Sequence, residues 1–136
     1  MRCILGPEAE LFTDEGLHAL VTSPFTVNAS SDGMGLRLDG AAIASPPQIL
    51  SEGQPAGSVQ IPPGGQPIVL LAGRQTLGGY AKIAVVARPD LSKLAQLIPG
   101  DVVTFTMVSL RESVDLTRRW LSKLFDPSYS TILYDE

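Results

Sequence analysis

The sequence predicts a mainly β domain with two or three short helices. Two observations carry that expectation. Thirteen glycines and 11 prolines fall between short apolar runs instead of gathering in one linker, which is the punctuation of strands joined by turns. Several of those runs also alternate apolar and polar residues with a period of two. Length and composition agree: 136 residues, 44% hydrophobic and 18% charged, fit one domain with its own core and no need of metal or disulfide staples.

Ile4 and Leu5 end at Gly6-Pro7 and read as a short first strand. Thr13 is placed to cap a short helix whose first turn carries Asp14 and Glu15, acids that suit the positive end of the helix dipole. Phe12, Leu17, Leu20 and Val21 would form its inner face. Residues 24–29 and 34–39 follow as strands, the second alternating Met34, Leu36 and Leu38 with Gly35, Arg37 and Asp39. A loop rich in Pro, Gly and Ser covers 40–56. Val59 and Ile61 then alternate with Ser58 and Gln60 in a strand stopped by Pro62-Pro63-Gly64-Gly65. The short, continuously apolar run 67–72 predicts a strand buried on both faces, and 79–87 is another, interrupted by Lys82. Asp90 is placed to cap a brief helix with Leu91, Leu94, Ala95 and Leu97 on one side, ended by Pro99-Gly100. Val103, Phe105 and Met107 alternate with Thr104, Thr106 and Val108 in the clearest strand. Ser109 to Glu112 is a capping box opening a helix to about Leu124. A tail follows, carrying Tyr129, Ile132, Leu133 and Tyr134. The division is therefore a domain over 1–109 and a C-terminal helix and tail over 110–136.

Charge and rare residues exclude several classes of function. The net charge of −4, with scattered Lys and Arg, argues against nucleic acid as the main partner. A single cysteine, Cys3, rules out an internal disulfide framework or a multi-cysteine zinc site, and a single histidine, His18, argues against a His-cluster metal site. No metal is expected. Apolar stretches are far shorter than the roughly 20 residues that span a bilayer, and the N-terminus breaks too early for a secretory signal. A cytoplasmic setting with no membrane association is the expectation.

The most informative feature is a local charge imbalance. Between Gly53 and Pro89 there is no Asp or Glu, while Arg74, Lys82 and Arg88 are present together with Gln54, Gln60, Gln66 and Gln75. Glutamine offers an acceptor and two donors, and arginine a planar fork of donors. Such a set suits a planar, polar ligand bearing an amide, urea or carboxylate group. The competing reading is a set of ordinary surface residues. Gly78-Gly79-Tyr80 lacks the Lys-Ser/Thr that a phosphate loop needs after its glycines, so a nucleotide loop is not predicted there.

Longer words in the sequence add to this. Residues 31–40 (SDGMGLRLDG), Ser51-Glu52-Gly53, the run 57–83 (GSVQIPPGGQPIVLLAGRQTLGGYAKI) and Leu97-Ile98-Pro99-Gly100-Asp101 closely resemble the biotin-dependent carboxyltransferase family. That family includes allophanate hydrolase subunit 2, the KipA-type component of 5-oxoprolinase and part of the urea carboxylase carboxyltransferase domain. The resemblance covers about residues 5–109 and places the chain in the C-terminal half of the longer family protein. It implies a cyclophilin-like β-barrel and work on a small amide substrate such as 5-oxoproline, allophanate or urea. The implied partner is a KipI-type protein, the counterpart of allophanate hydrolase subunit 1. Biotin or ATP would belong to the full assembly and no cofactor to this chain. The site residues it implies are Arg74, Lys82 and Tyr80 as catalytic groups, with Gln60, Gln66, Gln75, Ser31, Asp32 and Arg37 binding substrate. An alternative function is a non-catalytic regulatory module that sequesters the KipI-type partner. A barrel of this length also invites self-association into a homo-oligomer.

Overall fold

In the computed structural model, residues 1–126 are described, and the tail aromatics Tyr129 and Tyr134, with Ile132 and Leu133, lie outside them. The strands are, in chain order, β1 (Arg2–Leu5), β2 (Phe25–Val27), β3 (Gly35–Asp39), β4 (Glu52–Gly53), β5 (Ser58–Gln60), β6 (Ile68–Leu70), β7 (Leu77–Gly78), β8 (Lys82–Val86), β9 (Val102–Val103) and β10 (Thr106–Met107). Eight of them form one curled sheet in the order β10-β1-β8-β5-β6-β3-β2-β9, and β4 pairs with β7 apart from it. The molecule is thus mainly β, as expected.

The run 102–107, expected as one strand, is instead divided between the two edges of the sheet. Val102 and Val103 pair with β2, whereas Thr106 and Met107 pair with β1. Only Thr104 and Phe105 separate them, so one segment straps the edges together and holds the sheet curled. The predicted alternation survives the division: Val103 and Phe105 are buried, while Thr104 and Thr106 are exposed. Phe105 packs edge-on against Phe25 at 5.9 Å between ring centroids, inside a core that also holds Leu20, Leu36, Leu38, Val59, Val69 and Ile83. Cys3 lies in the same core, and burial pushes its thiol pKa up to about 11. It is a small hydrophobe and not a nucleophile.

Helix α1 (Asp14–Thr22) begins as predicted, with Thr13 Oγ1 accepting the Gly16 N–H at 3.1 Å. Its buried line is Phe12, Gly16 and Leu20, four residues apart, and Val21 is turned outward to solvent. Asp90 does not cap helix α2 (Leu91–Leu94). Its carboxylate is instead taken by Arg2, which donates from its backbone N at 2.9 Å and its Nε at 3.1 Å, with Lys93 Nζ at 3.3 Å. Burial alone would raise the Asp90 pKa. The hydrogen bonds and charge of Arg2, with Lys93, outweigh it and hold the carboxyl well below the usual carboxylate range. Helix α3 (Leu110–Leu124) opens on the predicted capping box: Ser109 Oγ accepts the Glu112 N–H at 3.2 Å and Glu112 accepts the Ser109 N–H at 2.7 Å. It docks where the Arg88 guanidinium lies 6.0 Å from the Trp120 ring centre. No helix among the described residues is long and apolar enough to cross a membrane.

Candidate functional site

Period-two alternation on β3, β6 and β5 decides where the site forms. Leu36, Leu38, Val69 and Val59 point into the core, so their neighbours Gly35, Arg37, Ile68, Leu70 and Gln60 face the other side. Register aligns them: Arg37 is opposite Ile68, and Ile68 is opposite Gln60. Arg37, Ile68 and Gln60 therefore form one row across three strands, its ends roughly 10 Å apart. The run 67–72 is accordingly not buried on both faces, because Ile68 and Leu70 stay half-buried on the open side. Ser58 and Gln60, which alternate with Val59 and Ile61, are both buried.

The cover is the segment from Leu71 to Tyr80 with the β4–β7 pair. Together with the row it encloses a pocket of about 340 Å³, lined by Asp32, Met34, Gly35, Arg37, Gln54, Gln60, Ile68, Leu70, Arg74, Gln75, Leu77, Gly78, Gly79 and Tyr80. Close turn packing fixes its mouth. Gly73 donates its N–H to Gly33 O at 3.0 Å, and a Cβ on Gly73 would stand 2.8 Å from that oxygen. Only glycine allows the two turns to touch there.

Of the predicted site residues, Asp32, Arg37, Gln60, Arg74, Gln75 and Tyr80 line this pocket. Arg74 is half-buried; its Nε donates to Gln54 O at 2.6 Å and its Nη1 reaches Leu71 O at 3.5 Å, leaving Nη2 without a partner among the described residues. The exposed Arg37 side chain makes no hydrogen bond or ion pair among the described residues. Asp32 supplies the lining's one carboxylate, and its Oδ1 already accepts the N–H groups of Met34 (2.8 Å) and Gly35 (3.2 Å). Two guanidinium groups against one carboxylate leave the pocket net positive.

Three predicted residues stand elsewhere. Ser31 Oγ accepts the Arg37 N–H at 3.0 Å and shapes the turn behind the pocket. Gln66 clasps the backbone of Gly40, accepting its N–H at 2.9 Å and donating to its carbonyl at 3.3 Å. Lys82 sits beside Gln60 in the register of β8 and β5, yet its ammonium does not open on the pocket. Its side chain is 2% exposed and is held by two carboxylates, Glu52 and Glu8, the latter at 3.1 Å. Glu8 also accepts the Lys82 backbone N–H at 2.9 Å. The hydrogen bond from Lys82, and next that with Glu8, holds the Glu52 carboxyl below its ordinary value. Gly6 makes the approach possible, since any Cβ there would overlap Lys82 O. The cation expected to act at Lys82 is thus buried and held by two carboxylates, and through Glu52 it ties β4 to the sheet.

Gln54 belongs to the polar set of the acid-free stretch but not to the site residues that the resemblance implies, and nothing in its sequence neighbourhood sets it above the other glutamines. It is 3% exposed and central to the cover. Its N–H donates to Thr76 O at 2.9 Å, its carbonyl accepts from Arg74, and its side chain bonds both Gly78 and Gln60. Among the described residues no group of three or more His, Cys, Asp or Glu side chains could hold a metal ion.

Residues 1–107 match the family described as carboxyltransferase domain, subdomain A and B. The chain is 39% identical over 121 residues to the C-subunit of 5-oxoprolinase from Haemophilus influenzae, a match covering 88% of this chain and 39% of that protein. It is 37% identical over 116 residues to the C-subunit of 5-oxoprolinase from Escherichia coli, covering 84% and 37% respectively. The chain therefore spans about two fifths of the length of both relatives. Among solved structures, the urea amidolyase of Kluyveromyces lactis superposes with a TM-score of 0.83 at 23% identity, over 93% of this chain and 8% of that one. That last likeness is one of fold.

Proposed function

The chain belongs to the carboxyltransferase domain family, subdomains A and B, and from that premise we propose that its pocket binds a small amide substrate for an amide-directed enzyme of the 5-oxoprolinase, allophanate hydrolase or urea carboxylase type. One observation carries the reading: Gln60 and the unpaired edge of Arg74 open into the same 340 Å³ space, with Arg37 across the row. An amide group meets a glutamine side chain through complementary donors and acceptors, and a carboxylate meets a guanidinium through charge-assisted bonds. Substrates bearing both groups fit this set, which favours 5-oxoproline and allophanate over urea. The names of the two relatives favour 5-oxoproline of the pair.

Arg74 and Tyr80 are groups proposed to touch the substrate, Arg74 at its carboxylate; the Lys82 ammonium is held in its ion pairs. The same relatives are named as subunits, which supports work within a multi-subunit assembly, and a KipI-type protein is the proposed partner. Calorimetric titration with 5-oxoproline, allophanate and urea, with and without that partner, tests the reading. Arg74→Ala is expected to weaken 5-oxoproline binding by about tenfold to a hundredfold. No heat from any of the three compounds, partner present, contradicts it. A regulatory module that sequesters the KipI-type protein is favoured by one observation, the burial of Lys82 between carboxylates. Recovery of the partner in a pull-down without turnover by the reconstituted pair selects that second reading.

A further inference from the structure

A chain of side-chain amides at the end of the pocket has only one polarity open to it. Gln54 lies between Gln60 and the backbone carbonyl of Gly78, with its Nε2 3.0 Å from Gly78 O and its Oε1 3.1 Å from Gln60 Nε2. A carbonyl oxygen can only accept, so the Gln54 end that meets Gly78 must be the donating NH2. Its oxygen must then face Gln60, and Gln60 must answer with its own NH2. Reversing either amide would set two acceptors, or two donors, against each other in a site where Gln54 and Gln60 are 3% and 7% exposed. The consequence falls on the remaining atom. Gln60 Oε1 takes no hydrogen bond from the described residues, and it is not a sealed, unsatisfied atom, because no buried side-chain polar atom lacks a partner there. It opens on the pocket that Gln60 lines.

We infer that Gln54 is a positioning residue that locks the pocket's amide end as an acceptor, so that the ligand is read by an N–H which it donates to Gln60 Oε1, while its acidic end lies toward Arg74. This rests on the pocket reading above and sharpens it. The ligand class is a small amide or lactam carboxylate whose nitrogen still carries hydrogen; an ester or lactone of the same shape would set its ring oxygen against Gln60 Oε1. Gly78, whose carbonyl fixes the polarity, is itself held by β4–β7 pairing with Glu52.

The test is a calorimetric comparison, on the full chain, of 5-oxoproline with its ring-oxygen counterpart, the γ-lactone carboxylic acid of the same skeleton. The native protein is expected to prefer the lactam by about tenfold or more. Gln54→Leu frees the Gln60 amide to rotate, and the preference is expected to fall toward unity. Gln66→Leu, outside the pocket, is expected to keep it. Equal affinity of the native protein for the two compounds overturns the inference without any variant, as does a preference undiminished in Gln54→Leu. In both of those outcomes the pocket reading stands, provided Arg74→Ala still weakens 5-oxoproline binding. Failure of both compounds to bind, or binding indifferent to Arg74→Ala, overturns the pocket reading and the inference with it.

Discussion

Lys82 shows at the scale of one residue how burial decides what a charge can do. In the sequence it is the one lysine in an acid-free stretch beside glycines, and an exposed cation there would suit an anionic substrate. In the fold its ammonium meets Glu8 and Glu52, from 74 and 30 positions away in sequence. No local pattern announces partners that distant. Removing the cation leaves Glu8, only 12% exposed, without its counter-charge, so Lys82→Ala is expected to cost about 2 kcal/mol in urea denaturation. Arg74 is the reverse case. Its neighbours take only part of the guanidinium, the unused edge faces the pocket, and its variant should lose binding with little loss of stability. The acid-free composition points to Arg74, Gln60 and Gln75, which line one pocket because they come from the covering segment and the sheet beneath it, whereas Tyr80 enters through the family resemblance. That composition misplaces Gln66, whose side chain is occupied by a backbone amide and carbonyl.

Among the elements, the β4–β7 pair is the one the sequence conceals. Each of its strands has two residues, too few to show alternation, and their pairing bridges Glu52 with Gly78 across the chain. Longer strands and helices are legible because their periodicity or caps are local, as with Thr13 and Ser109. The ion pair from Glu52 to Lys82 pins this cover to the sheet together with the Gln54–Gln60 hydrogen bond. A carboxylate whose folded pKa is depressed contributes its stability above the unfolded value and loses it as pH falls through the folded value. For Glu52 the ordinary value is 4.5, so the cover is expected to hold at neutral pH and to loosen as pH drops below it. Amide exchange at Gln54 and Ile49, whose N–H groups bond Thr76 O and Gly79 O, should report this. Glu52→Gln should speed exchange at both sites at neutral pH and flatten its pH dependence. Unchanged protection in the variant contradicts the tether.

For the whole molecule, the strap 102–107 is the feature on which the curled sheet depends. Its side chains read as an ordinary strand, and alternation alone does not reveal that its two ends serve opposite edges. Phe105 anchors the strap from between them, 2% exposed and edge-on to Phe25. Phe105→Ala is expected to cost about 4 kcal/mol in urea unfolding through lost burial and a cavity in the shared core. Thr104→Ala, on the exposed side of the same strap, should cost under about 0.5 kcal/mol. A similar cost for both would mean that the strap is not anchored through Phe105.

Side-chain nuclear magnetic resonance during titration with 5-oxoproline examines the row Arg37–Ile68–Gln60 and its cover most directly. Ligand-dependent shifts are predicted at the Gln54 and Gln60 NH2 groups and at Arg74 Nε–H, with the Gln66 NH2 signals unmoved. Saturable shifts confined to residues outside the pocket, with those three groups silent, would contradict the account.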